Sequence, residues 1–226
     1  MRRVLARLVA DGVMVASLLF LAAGTFAWWR AWALLTVLLV IRVLGALVVY
    51  RINPVLMRDR AGLPIHADQS QADRLLLLGI LASGYLGLPI IAGLDVFRWR
   101  LLPSPAPMVA AIGLLSFAIG WILKSLTLGA NAFAVAVVRV RREGAQTVAD
   151  TGPYAVVRHP FYAADPLILV GLGLWLQSSV AALCAVVPIA LMVMRLGLEE
   201  RVLRRELPGY TEYASRVRFR LIPGVW

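Results

Sequence analysis

The sequence predicts an all-α, polytopic transmembrane bundle of about six spans, the last two forming a helical hairpin. Three observations lead there. The 226 residues are 61% hydrophobic and only 15% charged, with a mean hydropathy of +0.82, which leaves too little polar surface to cover a water-soluble core. Charge-poor apolar stretches of about 20 residues, the length that crosses a hydrocarbon layer, recur at 8–28, 31–50, 75–94 and 107–128. A fifth uncharged run, 166–194, is about 43 Å long as a helix, too long for one crossing of a ~30 Å core.

Lipid offers backbone groups no partner, so each span reads as a helix. The first carries Asp11 and runs on to Trp28 and Trp29, an aromatic pair suited to the membrane interface. It therefore reads as a retained anchor, against a cleaved signal peptide whose basic region is Met1-Arg2-Arg3. The second span carries Arg42 and the fourth Lys124, while Pro103, Pro105 and Pro107 make the loop before the fourth a stiff connector. The long run breaks best at Gln177-Ser178-Ser179, which makes it a hairpin and returns the chain to its starting side.

Arginine placement tests this topology independently. Seventeen arginines fall before the first span and after the second, the fourth and the hairpin, against three on the other side, Arg30, Arg98 and Arg100. Basic residues mark cytoplasmic segments, so both termini are expected in the cytoplasm. The formal charge of +11 then expresses sidedness, and nucleic acid is not expected as a partner. A ratio of 22 Arg to one Lys suits a GC-rich genome and suggests a bacterial inner membrane. One cysteine excludes an internal disulfide and cysteine-ligated clusters, and two histidines, His66 and His159, are too few for a His-rich metal site.

Two clusters carry the chemistry. Residues 146–162 are dense in polar, aromatic and turn-forming types, and Gly152-Pro153 and His159-Pro160 prevent one regular helix. Irregular backbone at a membrane edge is tolerated where it lines a cavity. The competing reading is an interfacial loop anchored by Tyr154 and Tyr162, with Arg158 on lipid phosphate. The second cluster, Arg195, Glu199 and Glu200, lies where the last apolar helix leaves the membrane. Arg195 and Glu199 are four apart and share a face, so they can pair or point at one ligand.

Gly152-Pro153-Tyr154, Arg158-His159-Pro160-Phe161-Tyr162, Glu199-Glu200 and the tail Leu207-Pro208-Gly209-Tyr210-Thr211-Glu212-Tyr213 resemble the isoprenylcysteine carboxyl methyltransferase and phospholipid methyltransferase superfamily. The likeness covers about residues 120–226 and divides the chain into N-terminal spans, 1–128, and a C-terminal methyltransferase region, 129–226. It implies a helical membrane enzyme that uses S-adenosylmethionine in a cytoplasmic cleft. Gln146, Thr147, Val148 and Ala149 match the stretch that holds the adenosine end, and Tyr154, His159, Pro160, Phe161 and Tyr162 match further cofactor contacts. Glu199 matches the acidic residue facing the cofactor, with Glu200 the alternative by one residue of register, and Arg195 matches a substrate-side arginine. Gln146 and Ala164 depart from the family pattern, which has histidine and glycine there in some members.

The chemistry of such a cofactor agrees with these residue types. A sulfonium and an ammonium need a carboxylate and an aromatic, dry lining, which Glu199, Tyr154, Phe161 and Tyr162 supply. A carboxylate acceptor needs a cation, for which Arg195 is the candidate; an amine acceptor needs a proton removed, for which His159 or a glutamate is the candidate. The expected surroundings are the lipid bilayer and a lipophilic small-molecule acceptor, with no obligate protein partner evident. Two further readings stay open at this stage: a sterol-reductase-like membrane enzyme using NADPH, and a non-enzymatic transport or assembly protein.

Overall fold

The structure is a computed structural model and describes residues 2–60, 69–131 and 147–226. The described residues are mainly helical, with no strand among them, and five helices are long and apolar enough to cross a membrane. They are α1 (Arg2–Ala23), α2 (Trp29–Ile52), α4 (Gln71–Trp99), α5 (Pro107–Ala130) and α7 (Ser179–Glu206). A short α3 (Pro54–Arg60) follows α2, α6 (Pro160–Trp175) precedes α7, and α8 (Tyr210–Arg216) lies in the tail. The all-helical membrane bundle expected from hydropathy is what the chain forms.

Boundaries differ from the hydropathy reading in instructive places. The first helix stops at Ala23, because Gly24 takes a left-handed φ of 73°. Trp28 and Trp29 therefore open α2, where Trp28 is buried edge-on against Phe97. Helix α4 begins before its apolar run, on Ser70, whose hydroxyl accepts the Asp73 amide at 3.2 Å. It contains two wider π-helical stretches, Leu81–Gly87 and Asp95–Trp99, and ends where Arg100 turns left-handed.

The long uncharged run is a hairpin. Gln177 has a positive φ of 65°, and Ser178 caps α7 by accepting the Ala181 amide at 2.9 Å. The Ser178 hydroxyl also donates to Asp95 at 2.7 Å, tying the hairpin turn to the far end of α4. Arg30 reinforces this end, lying 4.8 Å from the Trp29 ring centroid and 4.7 Å from that of Trp175. Helix α6 has 16 residues, about 24 Å at 1.5 Å per residue.

Helices α5 and α6 form the closest pair in the bundle, and glycines set their distance. A methyl group on Gly171 would stand 2.6 Å from the Gly113 carbonyl oxygen and 2.8 Å from the Phe117 nitrogen. One on Gly120 would meet the Ala164 carbonyl at 2.9 Å. Small residues thus let the two backbones touch, the packing mode that replaces the hydrophobic effect between helices in lipid. Gly171→Ala is expected to destabilise the protein by about 1–3 kcal/mol through this overpacking. Gly197→Ala, where nothing lies within 4 Å, should be neutral or stabilising by up to about 1 kcal/mol. Thermal unfolding of both variants in one detergent gives the comparison.

Candidate functional site

The segment before α6 is irregular because its residues allow little else. Gly152 has a φ of 57° and starts a single 3₁₀ turn, Gly152–Ala155. Pro160 occupies the first turn of α6, where its missing N–H costs nothing. The amides just ahead of it find partners in the C-terminal tail: Arg158 N donates to Phe219 O and His159 N to Arg220 O, both at 2.9 Å. The Arg158 guanidinium donates to the carbonyls of Val217 and Arg218 at 2.8 and 2.7 Å. Tyr213 closes the other side, donating to the Tyr154 carbonyl at 2.7 Å.

Glu200 binds this assembly to α7. Its carboxylate accepts from Arg158 at 2.9 Å, Arg204 at 3.0 Å and Arg220 at 2.6 Å. Glu200, considered with Glu199 as a cofactor contact, is therefore turned toward the loop and tail and is absent from the cavity wall. Neighbouring helical positions point about 100° apart at 3.6 residues per turn, so Glu199 faces the other way. It accepts a 2.7 Å hydrogen bond from the Tyr162 hydroxyl.

Tyr162 in turn accepts from Arg195 at 3.0 Å, and Arg195 Nε donates to Asp73 at 2.7 Å. Gln69 donates to the other Asp73 oxygen at 2.6 Å. Asp73 was not singled out by the sequence: one aspartate at the start of a span, 122 residues from Arg195, carries no local signal. The network joins α4, α6 and α7 and is buried except at Glu199.

Tyr162, Arg195 and Glu199 of this network border a cavity of about 450 Å³. Beside them in its wall stand Asn131, Tyr154, His159 and Tyr210. Thr147, Val148, Ala149 and Phe161 also line it, so most of the residues singled out in the sequence share one space. Pro160 is buried as the start of α6 rather than in the wall, and Gln146 lies outside the described residues. The lining also holds apolar side chains, among them Leu34, Leu38, Leu77, Phe117, Leu172 and Met192, and the charged Arg42, Lys124 and Asp165.

His159 is 4% exposed, and its Nε2 lies 3.4 Å from the Tyr210 hydroxyl. Burial lowers its pKa, partly opposed by the carboxylates of Glu199 and Glu200. Burial likewise raises Tyr210 and Tyr213 well above the ordinary phenol value. At neutral pH this corner therefore holds a neutral imidazole and two neutral phenols.

Two outcomes follow for stability. Glu200→Gln is expected to cost about 3–5 kcal/mol, because it strands the buried Arg158 cation, whereas Glu199→Gln retains an acceptor for Tyr162 and should cost about 1 kcal/mol; thermal melts distinguish them. The depressed folded pKa of His159 means that the unfolded chain takes up this proton first as pH falls. Its contribution to stability is complete above the unfolded value of 6.5 and is lost on acidification, by at most about 1.4 kcal/mol per pH unit. Melts between pH 7.5 and pH 5 should fall more steeply for the wild type than for His159→Gln.

Comparisons with known proteins bear on the fold and on family likeness. Residues 108–208 match the family described as phospholipid methyltransferase. The cobalt-zinc-cadmium resistance protein CzcN of Cupriavidus metallidurans is 36% identical over 73 residues, 31% of this chain and 33% of that protein. The nickel-cobalt-cadmium resistance protein NccN of Alcaligenes xylosoxydans xylosoxydans is 38% identical over 69 residues, 29% of this chain and 32% of that protein. The chain thus matches about a third of the length of these relatives. The solved structure of a eukaryotic intramembrane Ras methyltransferase, the isoprenylcysteine carboxyl methyltransferase, superposes with a TM-score of 0.57 at 17% identity. That superposition covers 97% of this chain and 75% of the other and establishes a shared fold. Residues 108–208 thus resemble the phospholipid methyltransferase family, on a membrane fold shared with the isoprenylcysteine carboxyl methyltransferase.

Proposed function

We propose that this chain is an integral membrane methyltransferase that moves a methyl group from S-adenosylmethionine to a carboxylate or amine of a lipophilic acceptor, isoprenylcysteine-like or phospholipid-like. The observation that carries the reading is the mixed lining of the cavity. It presents the Glu199 carboxylate among phenols together with many aliphatic side chains.

The donor set fits the cofactor. Glu199 offers negative charge to an ammonium or sulfonium, Tyr154, Phe161 and Tyr162 offer aromatic surface, and residues 147–149, without regular structure, line the same cavity, where their backbone groups can meet a purine. When bound, S-adenosylmethionine supplies an electrophilic methyl group. The chain's own residues orient, desolvate and hold charge. Tyr162 fixes the Glu199 carboxylate, Arg195 and Asp73 fix Tyr162, and the apolar lining keeps water from the reacting atoms. Neutral His159 is the group able to accept a proton from an amine acceptor, while Arg195 brings positive charge to a carboxylate acceptor.

The same reading puts Glu199 and its neighbours on the cytoplasmic side, because Arg158, Arg204 and Arg220 gather there, and takes the membrane as a bacterial inner membrane from the 22 Arg to one Lys. It assigns residues 1–128 to the membrane scaffold and 129–226 to the methyl-transfer region, with bilayer lipid as the surroundings and no protein partner required.

Isothermal titration of the detergent-purified chain with S-adenosylhomocysteine tests it. Binding is expected, and Glu199→Gln should weaken it about tenfold, the size of one lost charge-assisted bond. Binding of NADPH with indifference to S-adenosylhomocysteine would overturn the proposal. Labelled methyl donor incubated with membrane lipid extracts, followed by mass spectrometry, identifies the acceptor.

A further inference from the structure

A second cavity of about 180 Å³ lies between α1, α2 and α5. Arg42, Trp121, Lys124 and Phe161 line both it and the main cavity, and so form the shared wall. The charged groups around it are out of balance. Arg7 and Arg42 both bind Asp11, at 3.1 and 2.8 Å, and Lys124 pairs with Asp165, so three cations face two carboxylates. Arg42 and Lys124 also lie 5.1 and 5.6 Å from the Trp121 ring centroid.

The hydrogen-bond balance leans the same way. Trp121 Nε1 is buried with no hydrogen-bond partner among the described residues. Arg7, 39% exposed at the rim, is the cation in excess, and the Trp121 N–H is a stranded donor inside; an anion offering several acceptors meets both. The donors come from α1, α2 and α5 and converge from different directions. A tetrahedral oxyanion meets such a set with more lone pairs than a planar carboxylate does. The rest of the wall is apolar, with Val4, Leu8, Ala46, Val49, Met57 and Leu128. Asp11 sits nine residues into α1, about 13 Å along its axis, a depth suited to a lipid headgroup drawn in from the interface.

We propose that this second cavity binds the phosphate of an anionic glycerophospholipid, at a site separate from the one where methyl transfer is proposed. Arg7 and Arg42 supply the guanidinium donors, Lys124 a point charge, and Trp121 its indole N–H. The inference does not rest on the methyltransferase reading, since its measurement is lipid retention and not turnover.

Native mass spectrometry of the full chain, purified in detergent and offered equal phosphatidylglycerol and phosphatidylcholine, tests it. One phosphatidylglycerol per chain is expected, retained about tenfold over phosphatidylcholine. Arg7→Gln, at the rim, and Trp121→Phe, which removes the N–H and keeps an aromatic ring, should each lower its occupancy about tenfold. Thermal melts confirm which variants are folded, and Ala46→Leu, which fills the cavity without touching a charge, provides a third route to the same loss. Equal retention of the two lipids, or wild-type occupancy in the folded variants, overturns the proposal. Displacement by an equal concentration of inorganic phosphate identifies a soluble-anion site and overturns the lipid assignment.

Discussion

The Glu200–Arg158 pair is the contact on which the site's shape depends. Its two side chains are 6% and 5% exposed and 2.9 Å apart, a one-to-one neutral pair in a dry setting. Arg204 and Arg220, the other cations on Glu200, are 44% and 36% exposed and largely solvated, so their charge is not an added burden on the interior. Arg158 is itself held by the carbonyls of Val217 and Arg218. A segment that cannot be helical, a helix end and a C-terminal tail thereby become one unit. Loss of either buried member leaves the other uncompensated, which is why such a pair matters more for geometry than for net stability.

A second consequence is rotational. With Glu200 committed to the loop and tail, the α7 helix has one permitted rotation, and Glu199 and Arg195 point into the cavity together. Arg195 is shared with Asp73 and Tyr162 rather than standing as an isolated cation. Its charge is thus fixed in place before any ligand arrives, the preorganisation that a water-excluding site needs to act on charge.

Much of this was legible in the chain. Hydropathy located the helices, Gln177-Ser178 located the hairpin turn, and the two polar clusters proved to be neighbours around one cavity. What escaped had physical reasons. The end of α1 depended on the positive φ of Gly24, while the tryptophans beyond it looked like the end of a span. Residue register could not separate Glu199 from Glu200, because only the arrival of Arg158 and Arg220 from distant segments decides which carboxylate is committed. Asp73 was invisible for the same reason: its role exists only once α4 lies against α7. Arg42, Lys124 and Asp11 were conspicuous as charges in apolar spans, but their partners are set by packing.

The location of the main cavity follows from where the bundle can and cannot close. Gly113, Gly120 and Gly171 draw α5 and α6 together until their backbones touch, and no space remains on that side. On the opposite side α6 and α7 face α4, whose regular pitch is interrupted by the π-helical stretch Leu81–Gly87. Such a stretch widens a helix and displaces its neighbours' register, a distortion frequent at functional sites. Gly84 within it approaches Pro188 and Leu169 closely, with a would-be methyl group 3.2 Å from the Pro188 Cβ, so α4 is held to α7 there as it is at Asp73–Arg195. The space left is bounded by residues of α2, α4, α5, α6, α7 and the tail. Under the proposed function, the polar and apolar side chains of that one lining would serve a polar methyl donor and an apolar acceptor together.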